Sequence, residues 1–72
     1  MSLNTDRYTY RITWSENDRE FVGLCIEFPS LSWLAKSPEA ALKGIRRVVK
    51  KSVRDMENNE ESPPPPISGR SY

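Results

Sequence analysis

The chain has no histidine and a single cysteine, Cys25, among its 72 residues. One cysteine excludes an internal disulfide. Without histidine, a Cys/His zinc site cannot be assembled, and Ser/His or Cys/His nucleophilic catalysis has no base. No apolar run approaches the roughly 20 residues that a membrane span requires, and no charged-then-apolar leader opens the chain. A lone free cysteine fits a reducing cytosol, so a cytoplasmic protein is expected. Eleven basic residues against ten acidic ones give a net charge of +1, which argues against a generic polyanion binder. A core drawn from so few residues supplies only about 3–5 kcal/mol without a disulfide or metal. Oligomerisation is the remaining source of stability, and a dimer or larger homo-oligomer is expected.

Two strands are legible. Tyr8, Tyr10, Ile12 and Trp14 alternate with Arg7, Thr9, Arg11 and Thr13, a period of two built from aromatic and β-branched residues. Ser15 to Arg19 is polar and rich in turn formers, as a hairpin connection requires. Residues 20–28 form the second run, with Val22, Leu24, Ile26 and Phe28 on one face and Phe21, Gly23, Cys25 and Glu27 on the other. The first of these faces is expected to join the aromatic face of the first strand. Gly23 marks a bulge or a close contact. Pro29 ends the second strand, and residues 31–35 form a short third one.

The period then changes. Ser37-Pro38-Glu39 has the chemistry of a helix start: a hydroxyl acceptor, a proline at the first helical position, and an acid at the positive dipole end. Ala41, Leu42, Ile45, Val48, Val49, Val53 and Met56 fall within about 80° of Ile45 on a helical wheel, which predicts an amphipathic helix over 38–58. Gly44 lies between its faces and allows a close backbone contact. From Glu60 the chain turns to Glu-Glu-Ser and four prolines, which predicts an extended polyproline tail. Ile67 and Tyr72 are expected to anchor it on a neighbouring chain. The expected organisation is therefore a domain at 1–59 and a tail at 60–72. Its fold class is α+β: a three-stranded antiparallel sheet with one amphipathic helix on one face. The expected core is Tyr8, Tyr10, Ile12, Trp14, Leu24, Ile26, Leu42, Ile45, Val49 and Val53.

Three constellations carry chemistry. Lys43, Arg46, Arg47, Lys50, Lys51 and Arg54 share the polar helix face, suited to phosphate or simply to water. Tyr8, Tyr10 and Trp14 could stack bases, but the helix needs an apolar face to cover and they supply it. Glu16, Asp18 and Glu20 cluster at the hairpin, with Glu27 further along the second strand. A two-metal centre needs convergent carboxylates, and only Glu27 is well placed. Neither a metal nor a cofactor is expected. Cys25 reads as a small packed residue facing away from the main apolar face.

Tyr8-Thr-Tyr-Arg-Ile-Thr-Trp14, Phe21-Val-Gly-Leu-Cys-Ile-Glu-Phe-Pro-Ser-Leu-Ser-Trp-Leu-Ala35 and Ser37-Pro-Glu-Ala-Ala-Leu42 together resemble the HicB antitoxin family, over about residues 8–72. Val22 to Ala35 followed by the helix start is the more specific part; Ala40 stands where an acidic residue is common. The resemblance implies a βββα(β) fold, with a short fourth strand from the tail as its optional last element, and a degraded, non-catalytic ribonuclease-H-like core. It also implies a partner: HicA, a small basic toxin that cleaves mRNA and is neutralised by binding. Many such antitoxins carry a C-terminal DNA-binding domain. Here the Pro-rich stretch and Ser68 to Tyr72 resemble the linker before one, so nucleic acid is not the expected partner of this chain alone. A basic toxin should avoid the cationic helix face and prefer Glu16, Asp18, Glu20, Glu27 and the sheet. The other reading left open is a nucleic-acid-binding fragment that uses the basic helix.

Overall fold

A computed structural model describes residues 5–67 of the chain. After a 3-10 turn at Thr5–Arg7 come β1 (Tyr10–Ser15), β2 (Glu20–Cys25), β3 (Ser32–Ala35) and α1 (Pro38–Asn58). The strands form one antiparallel sheet in the order β1-β2-β3, with α1 on one face. The arrangement is α+β, βββα. Among the described residues the tail adds no fourth strand.

Ser37 caps α1 as its hydroxyl chemistry predicts: Oγ accepts from the Ala40 amide at 3.1 Å, with Pro38 behind it in the first turn. At the other end the Glu61 amide donates to the Met56 carbonyl at 2.7 Å and the Glu60 amide to the Glu57 carbonyl at 3.1 Å. Glu60 has a φ of 60°. This is the paired hydrogen-bond closure that usually places glycine at the left-handed position. It turns the chain sharply, so that the proline tail runs back over the domain rather than onward from the helix.

The face of β2 that packs on α1 differs from the expected one. Register pairs Tyr10 with Cys25, Ile12 with Gly23 and Trp14 with Phe21. Directly opposed residues project to the same side of a sheet, so the Phe21/Gly23/Cys25 face joins the aromatic face of β1. The hairpin sets this register. The Arg19 amide donates to the Ser15 carbonyl at 2.8 Å, Arg19 has a φ of 53°, and Ser15 lies opposite Glu20. A slip of one residue would have exposed this face and covered the other.

The core is therefore Tyr8, Cys25, Ile45, Val49 and Val53, with Tyr10, Phe28, Leu31 and Leu42 packed against it. Ala41 is fully buried as well. Three expected core residues are corrected. Leu24 lies on the opposite face of β2, opposite Arg11 and Ser32. Ile26 follows the strand end and is 43% exposed. Trp14 projects toward the helix side but near the hairpin; it is 48% exposed and stacks edge-on against Phe21 at 5.0 Å. Ile12 is half-buried. Cys25 does not face away from the core but is part of it.

Both glycines at the interface are there because side chains cannot be. A Cβ on Gly23 would lie 2.5 Å from the Ala41 carbonyl oxygen and 2.8 Å from Ile45 Cγ2. A Cβ on Gly44 would collide with the Trp33 indole. Gly23→Ala should therefore force α1 away from β2. We expect a loss of about 1–3 kcal/mol, the usual cost of overpacking, read from urea unfolding. An unchanged midpoint would show that helix and strand are not in close contact there.

Candidate interaction surfaces and a buried carboxylate

The face of the sheet away from α1 carries Val22 and Leu24 from β2 and Leu34 from β3, with Val22 directly opposite Leu34. Leu34 is 45% exposed, and Val22 and Leu24 are half-buried. No described element covers them. Arg11 and Thr13 of β1 share this face by register. So does Glu20, whose Oε2 lies 3.1 Å from Lys36 Nζ. At the hairpin, Glu16 accepts from Trp14 Nε1 at 3.0 Å and Asp18 accepts from Ser15 Oγ at 2.8 Å. Both acids are exposed. Three of the four expected partner-binding acids thus lie at the hairpin end of the sheet: Glu20 on the open face, Asp18 against Ser15 of that face, and Glu16 against Trp14 on the helix side.

Glu27 does not join them. It is 9% exposed and ties three segments together. Its carboxylate accepts from the Thr9 amide at 2.9 Å, from the Thr9 hydroxyl at 3.2 Å and from the Ile67 amide at 2.8 Å. Cys25 Sγ lies 3.5 Å away. Nearby, the Tyr8 hydroxyl donates to the Pro64 carbonyl at 2.7 Å. The tail over 61–66, outside helix and strand, is therefore held on its own domain at Pro64 and Ile67. Tyr72, the other expected anchor, lies outside the described residues. Sequence spacing could not find this role, because it depends on a contact across 40 residues.

The electrostatics follow from this packing. Burial pushes the Glu27 carboxyl up, but the Ile67 and Thr9 amides outweigh it and hold the group below its ordinary value of 4.5. Burial raises the Cys25 thiol, and the adjacent Glu27 carboxylate adds to the effect, so the sulfur is a neutral core atom rather than a nucleophile. Tyr8 is pushed up to about 12, first by burial and then by neighbouring Cys25 and Glu27.

All six expected cations of α1 are exposed. Arg46 pairs with Asp6 and lies over the Tyr10 ring, 5.8 Å from its centroid. Lys51 Nζ lies 3.6 Å from Asp55. Shallow grooves run between these side chains, one lined by Arg47, Lys50, Lys51 and Arg54. Among the described residues no cluster of Cys, Asp and Glu could hold a metal ion, and no helix is long and apolar enough to cross a membrane. Comparison of the chain with protein-family models, with curated proteins and with solved structures found no match in any of the three.

Glu27→Gln should destabilise the domain by about 1–3 kcal/mol, since one amide oxygen cannot serve the donors that a carboxylate does. The sign of the pH dependence follows from the depressed pKa. The carboxylate's contribution is complete above about pH 4.5 and is lost as pH falls through the lower folded-state value. The gap between wild type and Glu27→Gln in denaturant unfolding should therefore be constant near neutrality and narrow below pH 4.5. A gap that widens on acidification would overturn this assignment.

Proposed function

We propose that the chain is a non-catalytic, HicB-like antitoxin domain that acts in the cytoplasm by binding a small basic, mRNA-cleaving toxin of the HicA type. The observation that carries this reading is the one-sided sheet. An apolar patch of Val22, Leu24 and Leu34, left uncovered by the described elements, shares its face with Glu20, and the exposed acids Asp18 and Glu16 stand at the same hairpin end of the sheet. An apolar centre with a charged rim is the ordinary anatomy of a protein interface, and the acids make it complementary to a basic partner. The βββα arrangement agrees with the βββα(β) fold that the resemblance implies, apart from the last strand, which the described residues do not form. A homo-oligomer belongs to the same reading, because β1 and β3 each leave one edge unpaired among the described residues, and such edges are usually covered or paired.

The test is co-purification with a HicA-type toxin encoded beside this chain, with mRNA cleavage as readout. Wild type should inhibit cleavage. Leu34→Lys should weaken binding by removing the apolar centre. Reversing Glu16, Asp18 and Glu20 to lysine should slow association by about 10-fold or more at low salt and by less at high salt. Inhibition that survives both changes would refute the surface. A wild-type chain that binds no such toxin would refute the functional class.

A further inference from the structure

The basic face of α1 resolves into two groups once its ion pairs are assigned. Arg46 is engaged by Asp6 and Tyr10, and Lys51 by Asp55. Lys43, Arg47, Lys50 and Arg54 form no ion pair with an acid among the described residues. Their spacing of four, three and four residues places them within about 60° of one another around the helix axis, in a nearly straight row. The row is about 16 Å long, with a cation roughly every 5 Å. No acid occurs between residues 43 and 54. Like charges at this spacing disfavour the helix, so the row is a local cost within a chain whose overall charge is only +1.

We propose that this row binds the phosphate backbone of duplex DNA, independently of sequence. Charge complementarity selects a polyanion, and three other observations narrow the class. The apolar face of α1 is buried against the sheet through Ile45, Val49 and Val53, so it cannot enter a membrane as an interfacial helix must. The row contains no aromatic or exposed apolar residue, and so lacks both the centre that a protein interface needs and the stacking platform that single strands use. Phosphate contacts need neither of these. A strand of duplex DNA carries a phosphate for about every 3.4 Å of axis, so a row of this length lies within reach of several phosphates along a groove wall. The major groove of B-form DNA, about 12 Å wide, admits the exposed arc of a helix against one wall; the deep, narrow groove of an RNA duplex does not. This surface lies on the side of the molecule away from the open sheet face, and the inference does not rest on the toxin-directed reading.

The experiment is fluorescence anisotropy of the full chain with a 20-base-pair DNA duplex between 50 and 200 mM salt. Four phosphate contacts predict a slope of about −3 to −4 in log affinity against log salt, a loss of roughly 10²-fold across that range. Replacing Arg47 and Lys50 together with glutamine should lower the slope by about 2 and weaken binding by about 10-fold or more at 50 mM. Arg11→Gln with Lys36→Gln makes the same change in net charge away from the row, and should leave the slope as it is. All four side chains are exposed, and far-UV circular dichroism verifies that each variant remains folded. No binding at 50 mM salt would overturn the proposal. So would equal losses in the two double variants, or binding to the single strand or to anionic phospholipid vesicles as tight as to the duplex.

Discussion

The close approach of α1 to the middle strand at Gly23 is the constraint on which the rest of the structure depends. With the Ala41 carbonyl and the Ile45 side chain occupying the space a Cβ would need, the helix sits low enough on the sheet to bury Ile45, Val49 and Val53 completely or nearly so. At Gly44 the Trp33 indole lies directly against the helix backbone, so β3 is clamped by the same contact. Small residues at both points let the helix pack closely on β2 and β3. Packing at this density gives a small domain its specificity, and it determines which side of the sheet remains open.

The tail is the second structural element of note. Four consecutive prolines cannot join a sheet or helix, yet they do not leave the domain. The turn at Glu60 reverses the chain, the Tyr8 hydroxyl holds Pro64, and the Glu27 carboxylate holds Ile67. An acid resembling a surface charge in the sequence is thus one of the most connected groups in the molecule. Its burial is supportable because its oxygens meet several donors, two of them backbone amides.

The two proposed surfaces divide the molecule. One side offers an apolar sheet patch with acids at its hairpin end. The other offers a row of cations with nothing apolar between them. A basic protein and a polyphosphate would therefore bind different sides, and the net charge of +1 conceals that separation.

The sequence by itself determined the elements. The helix spans Pro38–Asn58 as its spacing and cap predict, because helix periodicity and capping are local properties. The strands, the hairpin and the break at the prolines are local in the same way, although β2 ends at Cys25, three residues short of the expected run. What only the tertiary structure decided is which side of β2 meets the helix. The more apolar row, Val22-Leu24, looked like the core, but hydrophobicity does not specify cross-strand register. The geometry of residues 15–20 does, and a shift of one residue exchanges the faces. Leu24 and Ile26 fall outside the core for that reason, and Trp14 because its position near the hairpin leaves it partly uncovered. Glu27 was out of reach for a different reason: its donors, Thr9 and Ile67, lie 18 and 40 residues away, and no spacing rule joins residues brought together only by the folded chain.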